Sequence, residues 1–229
     1  FGAKSQESRR KAVDNSYKSL DNRVSESLAM LQGDVIHAYE DGAVRSFLQA
    51  KKQGIFCSYE LPIAHWSTVR RLLAEEAERL PDWEPTLEST REPEEKLARK
   101  EEELYLADCI TCPSAFVLQS IPPNIRESIP CQIAPFGSPV ATDNSPLKTA
   151  DRKNGKLKLL FVGSMSQRKG LADLFEAMNL INSKHVSLSI LGSPSLPMPF
   201  YRKVYPHFEY FSPRSNNEVR RVMNEHDVL

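Results

Sequence analysis

An α/β fold with parallel sheets, laid out as two successive domains, is what this sequence predicts, and three observations predict it. Short apolar runs alternate with amphipathic helical stretches along most of the 229 residues. The runs are joined by segments too long for hairpins, the spacing expected of strand–helix–strand crossovers. One stretch rich in Pro, Asp, Asn, Ser and Thr separates two such series, and a chain of this length suits two domains at ~100–200 residues each.

The first series opens with a polar helix over residues 1–30, carried by the rhythm of Val13, Leu20, Val24 and Leu28. Asp34–Ala38 reads as a strand and residues 43–53 as a helix with Val44, Phe47 and Leu48 on one side, ended by Gly54. Residues 55–59 form the next strand. Trp66 to Leu80 is an amphipathic helix with Trp66, Val69, Leu72, Leu73, Ala77 and Leu80 on one face. The proline-bearing residues 81–93 are expected to be a loop, and 94–107 a charged helix whose Glu and Lys run is a solvated face with i,i+4 pairs. A strand at Cys109–Cys112, a short helix from Ser114 through Leu118 and a strand at residues 132–135 complete the series.

Residues 139–154 carry hardly any bulky apolar side chain and are the expected linker. Beyond them come a buried strand at Leu157–Val162, a loop at 163–170, a helix at Leu171–Ile181 and a strand at Val186–Leu191 ended by Gly192. A short strand at Phe208–Phe211, a helix at 218–225 and a new strand opening at Asp227 follow. The expected division is therefore residues 1–150 and 151–229.

Bulk composition excludes several classes. A 40% hydrophobic share is enough for buried cores and too high for a disordered chain. Lys plus Arg equals Asp plus Glu at 30 each, without the basic excess of a general nucleic-acid binder. No apolar run reaches the length of a transmembrane helix and no signal-peptide core opens the chain. Arg70, Arg71 and Arg79 are too few, and too mixed with Glu75, Glu76 and Glu78, to argue for a membrane face; peripheral contact stays open. The four cysteines suit reduced thiols in a cytoplasmic protein, and Cys109-x-x-Cys112 lies within a strand rather than at a helix start, so buried free thiols are expected there.

Two segments carry chemistry. In Phe161–Gly170 a buried strand runs through a glycine loop into a helix, whose N-terminus offers backbone N–H groups and partial positive charge. Gly163 permits close backbone approach, and Arg168 and Lys169 add a planar fork and a point charge, a combination suited to a diphosphate. The alternative is a surface turn with two solvated cations. In the second segment, Glu60-Leu61-Pro62-Ile63-Ala64-His65-Trp66 follows a strand and precedes a helix, at the sheet edge where open α/β folds bind ligands. His65 there is either a ligand contact or a structural histidine at a helix start. His37, His185, His207 and His226 are scattered and read as structural or solvated.

The string F-V-G-S-x-x-x-R-K-G-L-x-x-L-x-x-A at Phe161–Ala177 resembles the donor phosphate segment of retaining glycosyltransferases of the group 1, family 4 type, which have two Rossmann-like domains (the GT-B fold). Asp34–Ala38, the Ala107–Ser114 segment and the Ala134-Pro135-Phe136-Gly137 turn resemble further parts of that family in the same order, so the likeness runs from about Asp34 to Leu229. It implies that Arg168 and Lys169, with Gly163 and Ser164, bind and stabilise the diphosphate of a nucleotide-sugar donor, and that His65 contacts the donor sugar. Many members carry an arginine directly after the glycine, where this chain has Ser164. The family's Gly-rich loop would lie before Phe1 and its glutamate pair beyond Leu229, so the chain is expected to be an internal piece with the second domain incomplete.

The implied reaction is transfer of a sugar from a nucleotide-diphosphate sugar to a sugar, lipid-linked or small-molecule acceptor with retention of configuration, without cofactor. No Asp-x-Asp is present, and metal-free leaving-group stabilisation by two cations is consistent with that gap. A nucleotide-sugar epimerase on the same fold and a truncated module that only binds a partner are the rival readings. A nicotinamide dehydrogenase is disfavoured because no G-x-G-x-x-G follows a strand.

Overall fold

The computed structural model describes residues 2–28, 30–31, 33–87, 92–138 and 155–229; the expected linker at 139–154 lies outside them. The chain forms two compact units, one of Phe1–Leu72 with Arg91–Ser138, the other of Leu73–Thr90 with Pro139–Leu229.

Among the described residues the first unit is built on four parallel strands in the order β1-β2-β3-β4: Val35–Tyr39, Phe56–Glu60, Cys109–Cys112 and Cys131–Ile133. Every crossover contains helix, as parallel pairing requires. The long helix α1 (Gly2–Leu28) precedes β1; α2 (Val44–Lys52) joins β1 to β2; α3 (Trp66–Arg79) and α4 (Glu94–Leu106) lie between β2 and β3; α5 (Ala115–Ser120) and α6 (Pro123–Ser128) lie between β3 and β4. One core holds Phe47 of α2, Leu104 of α4, Tyr59 and Leu61 from β2 and its end, and Ile110 of β3. α6 was not expected: it is a short, polar, proline-started helix that shows no apolar period.

Carboxylates from distant elements hold the turn after β1. Asp21 of α1 accepts the backbone N–H groups of Arg45 and Ser46 at 2.7 and 2.8 Å, capping α2, which has no side-chain cap of its own. Glu103 of α4 accepts the N–H groups of Asp41 and Ala43 at 2.8 and 3.0 Å and the Tyr59 hydroxyl at 3.2 Å. Lys100 is buried beside it, 3.2 Å from Glu40 and 3.3 Å from Glu92. The expectation that the charges of α4 form a solvated face is thereby corrected: Lys100 and Glu103 are inside because their partners lie on the turn after β1 and just ahead of α4.

Among the described residues the second unit has three parallel strands in the order β5-β6-β7: Leu157–Val162, Val186–Leu191 and Phe208–Phe211. α7 (Leu171–Ile181) joins the first two, α8 (Met198–Val204) the next two, and α9 (Asn216–Asn224) follows β7 behind a Ser215–Glu218 capping box. α8 is a second helix that the proline-bearing sequence concealed. Leu171, Phe175, Met178, Leu188, Ile190, Tyr201 and Phe208 form the main core, and Leu160, Leu191 and Val222 pack on the other face. Residues 81–93, expected to be a loop, contain a 3-10 helix at Pro81–Thr86. Its Trp83 is 4% exposed and touches Phe175, Phe200 and Tyr201, with ring centroids 6.1, 5.0 and 5.8 Å away.

All four cysteines are free thiols. Among the described residues no helix is long and apolar enough to cross a membrane.

Candidate functional site

In the second unit the chain after α9 returns to β5. The N–H groups of Asp227 and Val228 bond the Lys158 carbonyl at 2.9 and 3.2 Å, the Val228 carbonyl accepts the Leu160 N–H at 2.8 Å, and Val228 pairs parallel with Leu159. β5 thus lies between β6 on one side and this returning segment on the other. The winding reverses at β5, and in open α/β sheets the crevice at the carboxyl end of such a strand is where ligands bind.

The segment leaving that end of β5 is the glycine–cation loop. Gly163 has φ +148°, and its N–H bonds the Leu191 carbonyl at 3.0 Å. A Cβ on neighbouring Gly192 would lie 1.7 Å from the Gly163 carbonyl oxygen, so two glycine backbones meet where β5 and β6 end. Ser164 and Ser166 face each other with hydroxyls 3.2 Å apart. Met165 is fully buried, and its carbonyl accepts the Tyr201 hydroxyl at 2.6 Å. The same hydroxyl accepts the N–H groups of Ser195 and Leu196, both at 3.0 Å, so one buried phenol ties the loop after β5 to the loop after β6.

A 3-10 turn, Gln167–Lys169, follows, closed by Gly170 at φ +73°. Arg168 and Lys169 are exposed, and among the described residues neither has an ion-pair partner. Between them and the interior sits Gln167, 4% exposed. Its N–H donates to Thr86 Oγ1 at 3.0 Å; its Nε2 donates to Glu76 and Asp173, both at 2.6 Å; its Oε1 accepts the Ala172 N–H at 2.7 Å. Arg79 pairs with the same two carboxylates, Glu76 at 2.5 Å and Asp173 at 2.8 Å. The N-terminus of α7 is therefore not wholly open, since the Ala172 N–H is already taken by Gln167. Gly163, Ser164, Arg168 and Lys169 are brought together on one loop, while Gln167, Thr86 and Tyr201, which hold that loop, were missed. A glutamine in a loop and a tyrosine in a proline-rich stretch give no local signal.

His65 belongs to the first unit, directly before α3, and is 1% exposed. Its backbone N–H donates to Ser120 Oγ at 2.8 Å. Its Nδ1 lies 2.8 Å from the Ser67 hydroxyl and accepts the Ser67 N–H at 3.3 Å, which leaves the ring proton on Nε2. Nε2 is 3.0 Å from Glu101 Oε1 but off the angle of a hydrogen bond, and that oxygen accepts the Trp66 indole N–H at 2.6 Å. Burial holds the His65 pKa below the usual histidine value against the opposing pull of Glu101, so the ring is neutral at pH 7. A contact between this ring and a sugar would require it to leave these partners. His37 bonds Ser58 and Glu60 on the neighbouring strand. Among the described residues no group of three or more His, Cys, Asp or Glu side chains is placed to hold a metal.

No protein-family model matches the chain, and no curated protein matches it. Among solved structures it is similar to the lipopolysaccharide outer core galactosyltransferase WaaB in its apo form, with a TM-score of 0.50 and 13% identity over 91% of this chain and 52% of that one. A looser overlap is found with S. aureus MnaA solved with UDP, with a TM-score of 0.47 and 10% identity over 93% of this chain and 56% of that one. Another is with Phytolacca americana UGT2 complexed with UDP-2fluoro-glucose and pterostilbene, at 0.41 and 16% over 86% and 51%. The chain spans about half the length of these proteins. At such identities the likeness is one of fold: α/β, with Rossmann-like units of the GT-B type.

Proposed function

We propose that this chain is part of a nucleotide-sugar-dependent glycosyltransferase, and that the Gly163–Gly170 loop binds the diphosphate of the donor. One observation carries the reading: two exposed cations that have no carboxylate partner among the described residues, Arg168 and Lys169, stand on a glycine loop at the carboxyl end of the strand where the sheet reverses its winding. Arg168 offers a fork to phosphate oxygens and Lys169 a point charge, and together they would stabilise the negative charge that develops on the leaving diphosphate. The fold shared with a galactosyltransferase supports the reading, as does the phosphate-segment pattern at Phe161–Ala177.

Retention at the anomeric carbon and transfer to a sugar, lipid-linked or small-molecule acceptor rest on the sequence resemblance, as does a donor-sugar role for His65. The epimerase reading uses the same loop. Incubation of the chain with a nucleotide sugar, with and without acceptor, separates the two: transfer needs the acceptor, and NMR of the product reads its anomeric configuration.

Arg168→Ala and Lys169→Ala are each expected to weaken nucleoside-diphosphate binding by about tenfold or more, the worth of a hydrogen bond to a charged group. Calorimetric titration with UDP, GDP and ADP measures this. Unchanged affinity in both variants would remove the loop from the donor site.

A further inference from the structure

We propose that Gln167 is a positioning residue of this loop, holding Arg168 and Lys169 in place for a diphosphate through its anchor on Thr86; the inference rests on the diphosphate reading above. Arg168 and Lys169 are exposed and sit in a three-residue 3-10 turn, which by itself is a weak support. The turn's own ties are local, from the Lys169 N–H to the Ser166 carbonyl at 3.1 Å and from the Gly170 N–H to the Gln167 carbonyl at 2.9 Å. Gln167 supplies the ties that are not local. Its main chain is fixed to Thr86, 81 residues earlier, and its carboxamide to Glu76, 91 residues earlier, while its Oε1 reaches the first turn of α7. Both Nε2 protons and the carbonyl oxygen have partners, so the amide is locked in one orientation with its NH2 between two carboxylates.

Two consequences bear on an anion. Because Gln167 occupies the Ala172 N–H, the pull on a phosphate falls more heavily on the two side chains, and their placement matters more. Glu76 and Asp173 would repel a phosphate at this loop, but the Gln167 amide and Arg79 cover both. Loss of the amide would both loosen the cation pair and uncover negative charge. A diphosphate, with more charge and more contacts than a monophosphate, would feel both effects more strongly.

The experiment compares calorimetric affinities for UDP, GDP and ADP with those for UMP, GMP and AMP, in the wild-type chain and in Gln167→Met, Thr86→Val and Thr86→Ser. The preference for the diphosphate is expected to fall by about tenfold in Gln167→Met and Thr86→Val, the worth of one buried bond to the loop. Thr86→Ser, which keeps the hydroxyl, restores it. A merely structural role would lower both affinities together and leave the ratio unmoved. Thr86→Val is nearly isosteric, so it carries the test if Gln167→Met does not fold. A wild-type preference that persists in Gln167→Met and Thr86→Val overturns the positioning role and leaves the diphosphate reading standing. A wild-type chain that shows no preference for a diphosphate overturns both.

Discussion

Glu103 carries its carboxylate among three donors, yet burial outweighs them and pushes its pKa up to about 7. In an unfolded chain the same group releases its proton near the usual glutamate value. Between those two pH values the folded state binds more protons, so this residue makes the first unit most stable on the acid side, and its contribution declines as pH rises to about 7. The decline is on the order of 3 kcal/mol for a fully buried group. His65 acts in the opposite sense, its lowered pKa costing stability as pH falls below the ordinary histidine value. The difference between wild type and Glu103→Gln isolates the carboxylate. Urea unfolding at pH 5 and pH 8 is expected to show a flatter pH dependence in the variant, although glutamine, with an NH2 facing backbone donors, lowers stability at both. Equal slopes would mean that Glu103 stays ionised throughout.

Elements were legible in the sequence where the apolar period was long. Strands β5 and β6 and helices α3 and α7 stand out because apolar residues recur over six or more positions, although the face expected of α3 buries only Leu73 while Leu72 is exposed. Helices α6 and α8 did not, because each is short and has proline at its N-terminal end, and their buried residues, Ile125 and Tyr201, take meaning only from tertiary partners. The same divide runs through the candidate site. Strand, glycine and paired cations are contiguous and could be read, whereas Gln167 and Thr86 form a pair only once the chain is folded. Gly192 was legible as the end of β6, but not as the residue that lets the Gly163 carbonyl approach. Gly192→Ala would place a methyl carbon within covalent distance of that oxygen, so the ends of β5 and β6 must separate. The expected loss is more than about 3 kcal/mol, at the severe end for a single substitution. Thermal unfolding of the variant measures it, and a melting temperature within a degree of wild type would show that the two backbones do not meet.

At the scale of the whole molecule, the second unit is discontinuous in sequence, since Leu73–Thr90 packs with the residues after 138. Trp83 is the largest side chain this segment contributes, and it fills space among Phe175, Phe200 and Tyr201. Trp83→Ala should cost about 3–5 kcal/mol, the range for deleting a buried large aromatic ring. The loss should fall on the second unit, whose unfolding can be followed by hydrogen exchange in β5 and β6 against β2 and β3 as an internal control. For the same reason a fragment of residues 151–229 alone should melt without a cooperative transition, and adding Leu73–Thr90 should restore one. Cooperative melting of 151–229 by itself would show that this segment is dispensable.

That discontinuity also sets the order of events during synthesis. Trp83 leaves the ribosome well before Phe175, and at about 5–20 residues per second the nascent chain carries an unmatched indole for roughly 5–20 s. Through that interval the tryptophan and Leu80 are free to make wrong contacts or to be held by a chaperone. Translation speed across residues 91–174 would therefore influence how much of the newly made protein reaches the native state.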